Sequence, residues 1–289
     1  MLLLKLLSAV LQRLPLSLAM LLGEWLGILA YFVVPSRRRT TFNNLKLSLG
    51  RDKPESELRR IAWEMAKNMG KNTVEFFRLP IITPKNIDNY VQCRGLEHLE
   101  EALKLNRGAF MLTAHFGNWE LALATMVAKG YSMNLVTKYL KNELLNRFWL
   151  ESRRKLGINA FYREGSLKEI IRALKSNGLM GFVLDQNTRR DEGVFVNFFG
   201  RPACTIPSLA VLSQRLETPV VPTFIIQKPN GRHCLTFEKH LMFRQPPDSQ
   251  DPIVYNTQIY TDVIERYIRQ YPEQWIWMHK RWKTQPASK

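Results

Sequence analysis

From Arg107 onward, short apolar runs alternate with amphipathic stretches. "AFMLTA" (residues 109–114) is an apolar run of the length expected for a buried strand. "WELALATMVAKG" (119–130) has helical character and closes on Gly130. "SMNLVT" (132–137) is again strand-like. The same alternation continues with a polar helix over 142–156, "INAFY" (158–162) as a strand and "SLKEIIRALKSNG" (166–178) as a helix. "LMGFVLD" (179–185) predicts another buried strand, 206–217 a helix and "PVVPTFII" (219–226) a further strand. "HCLTFEKHL" (233–241) is expected to pair antiparallel at a sheet edge, and 252–270 forms the last helix. Strands alternating with helices predict the α/β class, with a mostly parallel central sheet flanked by helices.

The N-terminal part has a different pattern. From about Glu55, behind Pro54, the apolar residues Leu58, Ile61, Met65, Met69 and Phe76 recur at helical spacing and predict a helix with one face on the core. Residues 14–34, "LPLSLAMLLGEWLGILAYFVV", are apolar almost throughout and run into "PSRRR". The run is longer than the apolar core of a signal peptide, and Arg37 to Arg39 favour a cytoplasmic location for the chain beyond them. Its Leu, Ile, Val and Phe residues each favour insertion by roughly 0.3–0.6 kcal/mol, and Glu24 opposes it by about 2.5–3.5 kcal/mol. The two sums are similar, so a bilayer span, an interfacial anchor and a buried core helix all fit the pattern. Arg13, Ser17 and Glu24 fall on one side of a helix. The expected organisation is a hydrophobic membrane anchor over 1–40 and an α/β domain over 41–289.

Charge narrows the partners. Lys and Arg outnumber Asp and Glu by 42 to 25, a net charge of +17, which calls for an anionic partner. With a membrane segment present, an anionic leaflet or an acidic protein is the expected partner rather than nucleic acid. Three cysteines, Cys93, Cys204 and Cys234, lack CxxC spacing and read as reduced thiols. No HExxH, GxGxxG, GxxxxGK[ST] or GxSxG occurs, so zinc, nucleotide and nucleophile-elbow chemistries have no motif support.

"AHFGNWE" (114–120) follows a predicted strand and opens a predicted helix, and active sites of open α/β sheets lie at the carboxyl ends of their strands. His115 and Glu120 can meet only if the histidine lies on the turn and the glutamate in the first helical turn. Gly117 permits that turn and Asn118 is a good N-cap. A carboxylate on one ring nitrogen would leave the other as a base for a hydroxyl proton. Alternatively, Glu120 only complements the helix dipole. Arg163, Asp185 and Arg189 all follow predicted strands, where a pocket could assemble, although such arginines are often only surface charges.

The ordered set resembles a family. "VPSRRRTTFNNLKLSLG", "HFGNWE", "DQNTRRDEGVFVNFFGRPACT" and the tail "PEQWIWMHKRWK" are similar to the bacterial late acyltransferases of lipid A biosynthesis, within the HxxxxD/E glycerolipid acyltransferase superfamily. Residues 185–189 depart from the Glu-Gly-Thr-Arg block of the glycerolipid members, which argues against glycerol 3-phosphate as acceptor. The resemblance implies transfer of a fatty acyl group from acyl carrier protein to a hydroxyl of a lipid A precursor, without an acyl-enzyme, at the cytoplasmic face of a bacterial inner membrane. It implies His115 and Glu120 as catalytic residues, and Asn118, Arg163, Asp185 and Arg189 as substrate contacts, with Asp185 orienting one of the arginines. It implies no metal and no cofactor, with the acyl carrier protein thioester as a substrate. Partners would be acyl carrier protein, an anionic glycolipid acceptor and the membrane, met by Arg37 to Arg39 and by His279, Lys280, Arg281 and Lys283. Trp275, Trp277 and Trp282 suit either a membrane interface or packing on the domain. The competing readings are acylation of another membrane glycolipid or a glycerophospholipid, a non-catalytic basic membrane adaptor, and covalent catalysis through Cys204.

Overall fold

The computed structural model describes residues 1–163 and 165–287. Two apolar helices lead the chain, α1 (Leu2–Arg13) and α2 (Leu16–Val33), separated by Pro15, which has no amide hydrogen to continue a helix. Then come α3 (Pro35–Leu49) and the long α4 (Glu55–Arg78). α4 carries the predicted stripe: Leu58, Ile61 and Met65 are buried in one core cluster, against which Met69 packs, and Phe76 is buried in a second. α2 lies along α4 at close range, because glycines meet at the crossing. A Cβ on Gly27 would sit 2.0 Å from the Ala66 carbonyl oxygen, and one on Gly70 would sit 2.0 Å from the Gly23 carbonyl oxygen.

α2 is not a buried core helix. Only Ala19, Gly23 and Gly27 are buried, while Leu18, Leu21, Leu22, Trp25, Leu29 and Phe32 are exposed. Glu24 faces α4, where Lys67 and Lys71 each bring Nζ to 3.5 Å. The charge that opposes insertion is thus paired with lysines of α4. By length and composition α2 can cross a membrane, which makes it a candidate membrane anchor.

A short α5 (Ile87–Tyr90) leads into β1 (Val91–Arg94) and α6 (Leu96–Leu103). The alternating part comes next in the expected order: β2 (Ala109–Thr113), α7 (Trp119–Ala128), β3 (Met133–Thr137), α8 (Glu143–Lys155), β4 (Asn159–Tyr162), α9 (Leu167–Lys175) and β5 (Leu179–Val183). A hairpin of β6 (Val194–Phe198) and β7 (Arg201–Thr205) succeeds it, then α10 (Ser208–Leu216), β8 (Val220–Gln227), β9 (His233–Phe237) and α11 (Pro252–Gln270).

Seven strands form one sheet in the order β1-β9-β8-β2-β5-β3-β4. β8, β2, β5, β3 and β4 run parallel, and β9 pairs antiparallel with β8. β9 is not an edge, contrary to the sequence expectation. β1 adds beside it in parallel register and takes the edge. Four residues with Gln92 and Arg94 among them carry too little apolar signal to be read as a strand. Alternation along β2 splits the core. Phe110 and Leu112 join α3, α4, α9, α10 and α11 on one face, and Ala109 and Met111 join α6, α7 and α8 on the other.

The tryptophans of the tail are core residues, not interface residues. Trp275, Trp277 and Trp282 are buried. Trp282 stacks on Phe198 of the hairpin, and Trp275 packs edge-on against Trp277.

Candidate active site

Register places the two central residues together. Thr113 and Val183 pair across β2 and β5, so two residues further on His115 and Asp185 leave neighbouring strands side by side. One carboxylate oxygen of Asp185 accepts from His115 Nδ1 at 2.8 Å. The other accepts the His115 backbone N–H at 3.0 Å and the Trp275 indole N–H at 2.6 Å. Burial alone would raise the Asp185 pKa, but the His115 charge and these donors outweigh it and bring it to about 2. Burial pulls the His115 pKa down, but Asp185 more than offsets it and holds the ring above its ordinary value. An ionised carboxylate only accepts, so Nδ1 carries the hydrogen and Nε2 is the basic nitrogen of the neutral ring. The ring is 26% exposed. Trp119 stands edge-on to it at 5.3 Å, and the Gln186 amide nitrogen lies 3.4 Å from Nε2.

The expected His115–Glu120 pairing is not formed. Glu120 is in the first turn of α7, buried, and turned toward α8. There Arg153 binds it at 2.6 and 3.1 Å and the Trp149 indole N–H at 3.0 Å. The turn through Gly117, at φ +54°, leads the chain away from His115, so the acid five positions on faces a different neighbour. The acid seventy positions on, delivered by the adjacent strand, takes the ring instead. Glu120 keeps a through-space effect, since its charge also favours protonated His115.

Asn118 is equally committed elsewhere. It caps α7, accepting from Leu121 N–H at 3.0 Å, and its amide donates to Glu75 at 2.7 Å. Glu75 in turn meets His233 Nε2 at 2.8 Å. Asn118 is buried within this network, with both its side-chain oxygen and its amide nitrogen bonded. Arg163 and Arg189 do lie beyond the carboxyl ends of β4 and β5. Arg163 binds Glu192 at 3.0 Å, and Arg189 is 75% exposed and held by Asp191 at 2.6 and 3.0 Å. Asp185 orients the histidine rather than either arginine. Among the described residues no three His, Cys, Asp or Glu side chains converge as a metal site.

The family model for bacterial lipid A biosynthesis acyltransferases matches residues 2–284. The chain belongs to that family. Among similar acyltransferases, lipid A biosynthesis acyltransferase 2 of Shigella flexneri is 27% identical over 271 residues, covering 92% of this chain and 83% of that protein. The lipid A biosynthesis palmitoleoyltransferase of Escherichia coli K12 is 26% identical over 279 residues, covering 95% and 88%. The phosphatidylinositol mannoside acyltransferase of Mycobacterium tuberculosis is 24% identical over 225 residues, covering 75% and 68%.

This member of the family uses its tail in a way the sequence pattern did not reveal. Besides Trp275 on Asp185, His279 Nε2 accepts the Asn187 N–H at 3.0 Å. That bond requires an unprotonated Nε2, and burial lowers the His279 pKa accordingly. Arg281, expected on a basic docking surface, is fully buried and donates to the carbonyls of Gln186 at 3.2 Å and Cys204 at 2.9 Å. Burial lowers its pKa to about 10, so it stays charged at neutral pH. The tail therefore fixes the loop after Asp185. The density of Trp, His and Arg over 275–282 was the available signal. Cys204 is buried with its thiol donating to the Arg189 carbonyl, and burial raises its pKa, which does not suit a nucleophile.

The Glu120–Arg153 pair is buried on both sides. Glu120→Ala strands a guanidinium in the interior, and removing one partner of such a pair typically costs about 3–5 kcal/mol. The variant is expected to melt well below the parent chain in the same detergent, and Glu120→Ala/Arg153→Met to recover much of the loss. An unchanged melting temperature for the single variant would contradict the pairing.

Proposed function

We propose that the protein moves a fatty acyl chain from the thioester of acyl carrier protein to a hydroxyl of a lipid A precursor, at the cytoplasmic face of a bacterial inner membrane. The observation that carries the chemistry is the 2.8 Å contact between His115 Nδ1 and ionised Asp185, which leaves Nε2 as a base in a partly open site. The acceptor hydroxyl gives its proton to Nε2 as its oxygen forms the ester bond to the thioester carbonyl carbon. The tetrahedral intermediate collapses by breaking the carbon–sulfur bond, and the imidazolium returns the proton to the departing thiolate. No acyl-enzyme forms. The Gln186 amide, beside the ring, is placed to donate to the developing oxyanion. Arg163 and Arg189 bind anionic groups of the acceptor, which requires phosphate oxygens to replace Glu192 and Asp191 on their guanidinium groups. α2 anchors the enzyme, and the +17 charge suits an acidic donor protein and an anionic acceptor.

The acceptor rests on the names of the relatives, two of which specify lipid A and one phosphatidylinositol mannoside. The last keeps open a second reading with the same chemistry on another phosphoglycolipid. The deciding assay offers purified acyl carrier protein thioesters of several chain lengths with a tetra-acylated lipid A precursor, and reads products by mass spectrometry. An acylated precursor is expected. Acylated phospholipids as the sole product would overturn the lipid A assignment.

A further inference from the structure

From the end of β3 through the first turns of α8 the chain reads "TKYLKNELLNRFW", residues 137–149. Tyr139, Leu140, Leu144 and Leu145 are exposed there, with Tyr139 at 54% and Leu144 at 56%. Soluble surfaces rarely gather large apolar side chains in this way without a partner. The loop is held rather than loose. Asn146 accepts the Leu140 N–H at 3.0 Å and donates to the Tyr162 hydroxyl at 2.9 Å, and the Tyr139 and Tyr162 rings lie 5.9 Å apart. Tyr139, Leu144, Arg147, Arg154 and Tyr162 are among the residues that line an open cleft of about 570 Å³. Lys138 and Lys141 flank the apolar side chains, and both are exposed.

The patch does not stand alone. Glu151, on the same cleft, meets Lys5 of α1 at 3.9 Å. The same helix also exposes Leu2, Leu3, Leu6 and Val10. The loop also leaves the carboxyl end of β3, which runs parallel to β2 and β5, so it shares a sheet edge with His115 and Asp185.

We propose that the loop before α8 and the leading turns of α8 form a second membrane-seating surface, which lies on an anionic bilayer together with α1 and brings the active-site edge to the lipid boundary. Exposed Leu, Tyr and Lys side chains interleaved along one short segment match an interface in which apolar groups enter the acyl boundary and ammonium groups meet lipid phosphates. Four cations, Lys138, Lys141, Arg147 and Arg154, against Glu143 and Glu151 favour an anionic leaflet over an uncharged one. This rests on the membrane-bound reading above and adds a contact that α2 does not supply.

The test uses the full chain with an environment-sensitive nitrobenzoxadiazole label on Leu144→Cys. The control label is on Lys104→Cys, ahead of β2 at the opposite edge of the sheet. With phosphatidylcholine–phosphatidylglycerol vesicles, the label at position 144 is expected to shift to the blue and brighten several-fold, while the label at 104 does not respond. A label at 144 that stays in water while the protein co-sediments with the vesicles overturns the proposal, as does a shift that needs acyl carrier protein. Lys138→Gln/Lys141→Gln is expected to weaken binding to the mixed vesicles by roughly 30-fold, and equal binding would again overturn it. Acyl transfer assayed in detergent micelles separates the two readings. Absence of transfer by the unsubstituted chain counts against the proposed function and leaves the vesicle result standing.

Discussion

His115→Ala is expected to lower the rate of acyl transfer by about 10²–10⁴-fold, with little change in the apparent affinity for either substrate. The imidazole Nε2 is the basic atom at the carboxyl edge of the sheet whose position two other groups define, Asp185 through Nδ1 and Gln186 beside the ring. Fold loss is not the expected cause of the drop. The Asp185 carboxylate keeps its bonds from the residue-115 backbone N–H and from the Trp275 indole N–H, neither of which needs the ring. The strand pairing that sets both residues in place is likewise made by backbone. The measurement is steady-state transfer to the lipid acceptor, alongside a melting curve in the same detergent. Transfer at the parent rate by a folded His115→Ala chain would remove the general-base mechanism and favour the adaptor reading.

The sequence exposed some layers of this molecule and hid others, for physical reasons. The parallel strands were legible because β2 and β8 are buried along nearly their whole length and, like β5, read as apolar runs. β1 was not, because an edge strand of four residues carries two exposed polar side chains. The hairpin β6–β7 lay hidden inside a segment noticed only for its polar motif residues. At the site, the position of His115 followed from a strand preceding a helix, but its partner did not. Spacing along one chain favoured Glu120, five residues away. The actual contact depends on which strand lies next to β2, and that order, β2 beside β5, belongs to the sheet and not to local sequence. Arg153 and Trp149, which take Glu120, come from α8 across a helix–helix contact and left no motif. The tail was read two ways. Its tryptophans suited a membrane interface or packing on the domain, and Arg281 was expected on a docking surface, yet all of them are buried, with Trp275 and Arg281 bonded to Asp185 and the loop after it.

Asp185→Asn is expected to be nearly as damaging as loss of the histidine, about 10²–10⁴-fold, even though it changes one atom. Two donors, the His115 backbone N–H and the Trp275 indole N–H, converge on the same Asp185 oxygen. The asparagine must keep its carbonyl oxygen there, which turns its amide NH₂ toward His115 Nδ1. Nδ1 then accepts, the ring hydrogen moves to Nε2, and the base is lost from the side that faces the acceptor. Removing the carboxylate charge also leaves burial as the dominant influence on the ring, so its pKa drops. The residual activity should therefore keep its plateau to lower pH than the parent, whose acidic limb reports a histidine raised above its usual value. Stability gives an independent readout. The native Asp185 pKa of about 2 lies below the unfolded value near 3.8, so its stabilisation is complete above that value and is lost as the pH falls toward 2. That contribution, about 2 kcal/mol, should vanish in Asp185→Asn, flattening the acid side of its stability curve between roughly pH 4 and pH 2. A variant with full activity and an unmoved acidic limb would show that the Asp185 carboxylate does not control the ring.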